Sequence, residues 1–274
     1  MSVTITAQDI NKLRQTTGAG MMDCRTALTE SNGDFEAAID WLRKQGQKVA
    51  AKRSDREAKE GVVIAQTTAD NKSGIVVCVS CETDFVSKNA EFVAFVQSIA
   101  DAAISSGVKT TEELNEVNIG GAKVSDLIND KLAAIGEKIA VTRFERVEAP
   151  YVASYIHGAN RMGVLVSLTA VAEEAGKDVA MQIAAMNPLA VDESSIAPET
   201  IERERAIAIE QIKAEGKPAE MAEKIAVGKV NKFLKDNTLI HQPFVKDASK
   251  SVADYLKGIN ADLKVTSFVR VALG

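Results

Sequence analysis

Cys78 and Cys81 stand in CVSC, the C-x-x-C spacing of dithiol oxidoreductases, and they are the strongest enzyme signal in the chain. That chemistry needs both sulfurs together at a helix N-terminus. Here Cys78 falls inside the apolar run GIVVCVS, which reads as a strand, and a step of three along a strand sends side chains to opposite faces. Small buried thiols are the reading this spacing favours. Metal ligation needs a second ligand pair, whereas Cys24, His157 and His241 are each isolated, so no metal site is assigned. A hydrolytic triad would have to be built on His157 or His241, and neither has a nucleophile motif nearby. GANRMGV, from Gly158, spaces its glycines like a phosphate loop, but Val164 stands where Lys is required and a strand follows. It reads as a hairpin turn that displays His157. TGAGMM, from Thr17, lacks the preceding strand and third glycine of a dinucleotide fingerprint, and reads as a helix–helix turn with an exposed Met pair. No carboxylate pair is singled out by spacing. The chain is therefore read as a non-enzyme with no cofactor.

One further stretch combines an acid and an aromatic, CETDFVSK at 81–88. Thr83 or Asp84 can cap the helix that follows, with Phe85 covering the end of the core as a hydrophobic staple. Alternatively Asp84 and Phe85 face outward as an anchor for a partner's pocket. The physics of the turn alone favours the staple, because aromatics near helix starts commonly pack inward.

The elements that must position these residues follow from periodicity. The chain has 274 residues and a formal charge of −5, from 33 basic and 38 acidic side chains, so it can bury a full core and has no global attraction to phosphate backbones. No apolar run is long enough to span a bilayer, MSVTITAQD has no leader pattern, and three cysteines fit a reducing compartment, so a cytoplasmic location is expected. Residues 1–46 read as three helices. Thr6 and Asp9 have capping-box spacing before Ala7, Ile10 and Leu13; Met21, Cys24 and Leu28 mark the second helix. Phe35, Ala38, Ile39 and Leu42 mark the third, closed by Gly46. Residues 47–60 belong to a polar run with clustered Lys and Arg, read as a solvated linker in preference to an RNA contact.

Beyond it the chain is duplicated. Strand, turn, strand, helix occurs in 61–147 and again in 148–274, and VTRFERV (141–147) echoes VTSFVRV (265–271) at five of seven positions. Gly74 and Val141 are 67 positions apart while Gly163 and Val265 are 102 apart. The excess is placed at 198–235, a charged pair of helices broken at Gly216-Lys217-Pro218, with Ala206, Ile209, Ile212, Met221 and Ile225 as the stripe that joins them.

TGAGMMDCRTAL (17–28), NGDFEAAIDWLR (32–43), CETDFVSKN (81–89), YIHGANRMGVLV (155–166) and HQPFVKD (241–247), in this order, closely resemble the bacterial elongation factor Ts family over essentially the whole chain. The resemblance implies an α+β fold: an N-terminal three-helix module similar to ubiquitin-associated domains, then a duplicated α+β core with antiparallel sheets and an inserted helical hairpin. It implies a guanine-nucleotide exchange factor for elongation factor Tu, binding the nucleotide-free and GDP-bound forms, with no direct nucleic-acid or membrane contact. By the same resemblance Thr83, Asp84, Phe85 and Val86 engage the GTPase domain, the aromatic wedging in and disturbing the Mg²⁺ and phosphate site until GTP replaces GDP. Arg14, Met21 and Met22 would add contacts to that domain, and His157 and Phe244 would face another. Some family members continue past the position of Gly274 into a helical segment, so no contact of that kind is assigned. The arm leaves monomer and homodimer both open. Two other classes stand beside this reading, a peptide-binding adaptor acting through the N-terminal module and a dithiol oxidoreductase using Cys78 and Cys81.

Overall fold

The computed structural model describes residues 4–53, 55–216 and 218–274, so Lys217 of the expected hairpin turn and Ser54 of the expected linker lie outside the described residues. Helix α1 (Ala7–Thr17) has the capping box that the spacing predicts: Thr6 accepts from the Asp9 N–H while the Asp9 carboxylate accepts from the Thr6 N–H. It packs with α2 (Met21–Glu30) and α3 (Phe35–Lys52) around buried Leu13, Cys24, Leu28, Ala38 and Leu42.

Gly46 does not end α3. The helix runs on to Lys52, through the first residues of the expected linker. A Cβ added at Gly46 would lie 2.8 Å from Ala133 Cβ, so the missing side chain lets α3 cross closely over a later helix.

The first repeat comprises β1 (Glu60–Thr67), β2 (Ser73–Cys81), α4 (Asp84–Ser87), α5 (Ala90–Ser106), α6 (Thr111–Glu116), the ribbon β3 (Asn118–Ile119) and β4 (Ala122–Lys123), α7 (Val124–Ile135) and β5 (Ala140–Glu148). The second comprises β6 (Tyr151–His157), β7 (Met162–Leu168), α8 (Glu173–Met186), α9 (Pro198–Ala214), α10 (Ala219–Asn237), the ribbon β8 (Pro243–Phe244) and β9 (Asp247–Ser251), α11 (Val252–Ile259) and β10 (Val265–Ala272). Each repeat forms a three-stranded antiparallel sheet, ordered β1-β2-β5 and β10-β7-β6, with the hairpin's second strand in the centre.

The two sheets pack face to face through Val63, Val76, Cys78, Val152, Leu165 and Val271. Their outer faces are covered by helices: Phe92, Val96, Ile99 and Leu132 over the first, and Val179, Ile183 and Leu256 over the second. A central strand buried on both sides reads as a continuous apolar run, which explains GIVVCVS and MGVLVSL. Glycines set the sheet separation. A Cβ at Gly74 would be 2.8 Å from Val152 Cγ1, and one at Gly163 would be 2.9 Å from Val63 Cγ1. The echoed strands share a further role, since Arg146 donates to the Ile104 carbonyl (3.0 Å) near the end of α5 and Arg270 to the Ala184 carbonyl (3.5 Å) near the end of α8.

Helices α9 and α10 pack on each other through buried Ala208, Ile212, Ala222 and Ala226, flanked by Ile209 and Ile225. Ala206 and Met221 of the expected stripe face solvent instead. Close antiparallel approach selects the alanines, while Ile212 of the expected stripe is fully buried at the contact and Ile209 and Ile225 lie at its edge. Among the described residues no helix is long and apolar enough to cross a membrane.

Candidate protein-binding site

The turn after β2 is tied down before it reaches Phe85. Glu137, just beyond the Gly136 cap of α7, accepts the backbone N–H groups of Glu82 (3.1 Å) and Thr83 (3.0 Å) on one oxygen and the Thr83 hydroxyl (2.7 Å) on the other. Glu82 returns the contact. Its carboxylate accepts the Lys138 N–H (2.6 Å) and the guanidinium groups of Arg53 (2.8 Å) and Arg56 (3.2 Å). The Lys138 N–H, then the two arginines, hold the Glu82 carboxyl below the ordinary glutamate range despite its partial burial.

On this base the four residues of α4 split by direction. Val86 packs against the first core and Ser87 is buried, whereas Phe85 is 85% exposed. The staple reading is therefore corrected: Val86, not Phe85, covers the end of the core. The capping expectation is corrected too. The Thr83 hydroxyl is spent on Glu137, and Asn89 caps α5 by accepting from the Glu91 and Phe92 N–H groups (2.8 and 3.4 Å). Asp84 pairs with Lys88 (2.7 Å) on the exposed side of α4, which lowers its pKa. An aromatic beside an acid is thus presented outward from a fixed turn.

A groove of about 810 Å³ opens beside Phe85, bounded by Gly18 and Ala19 of the α1–α2 turn, Trp41 of α3, and Lys131 and Ile135 of α7. The same α1–α2 turn leads into Met21 and Met22, which are 53% and 67% exposed, and Arg14 on α1 is exposed as well. The three helices and the Phe85 turn thus border one groove.

His157 ends β6 in the open, its Nδ1 3.0 Å from the Tyr155 hydroxyl. Phe244 is different. It is 3% exposed and stacked on Tyr255 with ring centroids 4.1 Å apart, so it is a core residue and offers no contact surface. Val245 faces outward beside it, with His241, Pro243 and Lys246 of HQPFVKD also exposed, as alternation along an extended segment requires of the neighbours of Phe244 once it points in. Two side chains of α8 hold that segment: the Gln182 carbonyl accepts the Val245 N–H (2.8 Å), and buried Asp178 accepts Lys246 Nζ (2.6 Å) and the Tyr255 hydroxyl (2.9 Å).

The dithiol reading fails on geometry. Cys81 faces the helical layer, donates to the Thr83 carbonyl (3.2 Å) and has its pKa pushed up to about 12 by burial, while Cys78 lies between the two sheets. Both are buried, on opposite faces of one strand. Sequence reasoning did not find Glu82, Glu137, Arg53 or Arg56. They are ordinary charged residues, and the pairs they form with one another join positions 26 to 55 apart.

A family model described as Elongation factor TS matches residues 82–274, from the turn that presents Phe85 to the last strand. Relatives named Elongation factor Ts align almost end to end. That of Flavobacterium psychrophilum is 50% identical over 274 residues, covering 99% of both chains. That of Christiangramia forsetii is 49% identical over 273 residues, covering 98% of this chain and 99% of its own. That of Clostridium perfringens is 43% identical over 282 residues, covering 98% and 93%. With both repeats and the Phe85 turn inside these matches, the chain belongs to the elongation factor Ts family.

Proposed function

We propose that the chain acts in translation elongation as the guanine-nucleotide exchange factor of elongation factor Tu, with Phe85 as the wedge that opens the GTPase. The observation that carries the wedge is the 85% exposure of a phenylalanine on a turn whose Glu82 and Thr83 amides and Thr83 hydroxyl are held from behind by Glu137. Asp84 and Thr83 frame it, and Val86 anchors it to the core. Arg14, Met21 and Met22 extend the same contact from the N-terminal helices. His157 and Val245, in place of Phe244, supply the second face.

Exchange needs no covalent step. If this protein binds nucleotide-free elongation factor Tu more tightly than the GDP form, linkage requires GDP to weaken the protein complex by the same factor, so each ligand expels the other. A rate increase requires that the strain appear in the ternary complex. A rigidly mounted aromatic pressed into the GTPase beside its Mg²⁺ and phosphate contacts meets that requirement, whereas a surface that is only sticky does not.

The test is release of fluorescent GDP from purified elongation factor Tu at several concentrations of this protein and of Phe85→Ala. The parent is expected to accelerate release strongly, and the variant to lose about 30-fold at equal concentration, the size of one interface hot spot. A folded variant that matches the parent removes the wedge, and a folded parent that leaves release unchanged removes the exchange reading.

A further inference from the structure

We infer that Glu137 is a positioning residue for exchange, fixing the Glu82–Thr83 backbone so that Phe85 meets its partner at a set angle; the inference rests on the exchange reading above. Helix α4 has only four residues, Asp84–Ser87, and no side-chain cap at its N-terminus. A single turn of that length cannot hold its own orientation. The orientation comes instead from a carboxylate 54 and 55 positions away in sequence, which takes three donors from two consecutive residues, Glu82 and Thr83. Glu82 takes the Lys138 N–H in return, so the 82–83 and 137–138 turns clasp each other by backbone-to-carboxylate bonds in both directions. Arg53 and Arg56 extend the clasp to the chain leaving α3.

None of these bonds adds apolar burial; what they fix is direction. A wedge that strains its partner receives an equal push back, and α4 meets that push through Thr83 and Glu137. Three donors need both carboxylate oxygens as acceptors. Glu137→Gln keeps the shape but removes the charge shared by all three bonds: its NH₂ sets donor against donor if it faces the two amides, and if it faces Thr83 it reverses the hydroxyl bond and leaves a neutral carbonyl to the amides.

The experiment measures fluorescent GDP release from elongation factor Tu against concentration for the parent, Glu137→Gln, Phe85→Ala and the double variant, each confirmed folded by circular dichroism. Glu137→Gln is expected to lower the saturating rate about tenfold, the effect of losing one charge-assisted hydrogen bond, with little change in the half-saturating concentration. In the Phe85→Ala background it should add nothing, because Glu137 acts through Phe85. A Glu137→Gln rate equal to the parent's while Phe85→Ala is impaired overturns the positioning role alone, as does an equal loss in both backgrounds. A parent that fails to accelerate release overturns the exchange reading instead. Should Glu137→Gln not fold, Thr83→Val, which removes only the hydroxyl donor, makes the same comparison with the same expected and overturning outcomes.

Discussion

A phenylalanine with 85% of its surface in water adds little to folding, whereas Val86 beside it adds packing. The folding role and the presenting role are thus divided between adjacent side chains, which leaves Phe85→Ala within about 0.5 kcal/mol of the parent in stability. Glu82 is coupled to pH. Its folded pKa lies below the unfolded value near 4.5, so its contribution is fully present above that value and is lost as the pH falls through the folded pKa. Glu82→Gln should therefore cost about 1–3 kcal/mol in urea unfolding at pH 6, with the difference shrinking by pH 3. A difference independent of pH would assign the effect to shape, not charge. The sequence places an acid and an aromatic at a turn but not the direction of the ring, because Phe85 and Val86 are both apolar and only the surrounding core decides which one it takes. Phe244 is the mirror case: the resemblance implies a residue facing a partner, and the core takes it in, stacked on Tyr255.

At the scale of elements, glycine has two meanings that the sequence does not separate. Gly18, with φ +69°, ends α1 as the rule predicts, whereas Gly46 sits inside α3 because Ala133 of α7 comes too close for a side chain. Gly46→Ala should gain about 1 kcal/mol of helix propensity yet lose about 1–3 kcal/mol through the forced separation, a net fall in melting temperature. Adding Ala133→Gly should recover most of that loss; recovery of none would place the strain at Asn129, whose carbonyl is the next contact at 3.3 Å. Helices, strands and the duplication were legible because caps, periodicity and the VTxFxRV echo are local signals. The arm was legible only in part: Ile209, Ile212 and Ile225 of its stripe lie at the contact, but the other buried positions, Ala208, Ala222 and Ala226, are alanines that carry no strong periodic signal of their own.

Across the whole molecule the two repeats share one interior layer. Val63 also donates its N–H to the Asn160 carbonyl (2.7 Å), joining the edge of one sheet to the turn of the other. The repeats should therefore unfold as one unit. Hydrogen exchange is expected to give the central-strand amides of Val77 and Val166 the same opening free energy, and Gly163→Ala to lower both together; independent opening of β7 would refute the shared layer. The glycine contacts across that layer are reciprocal: Gly74 meets Val152 and Leu165, and Gly163 meets the corresponding Val63 and Val76. Such a pattern is that of an isologous interface, in which residue i of one copy meets j of the other and j meets i. In terms of symmetry, one such repeat presents a face complementary to its own copy, related by a rotation axis that passes between the two glycines. Joining the two copies in one chain releases them from being identical, so that the first carries Phe85 on its turn and the second carries the arm of α9 and α10.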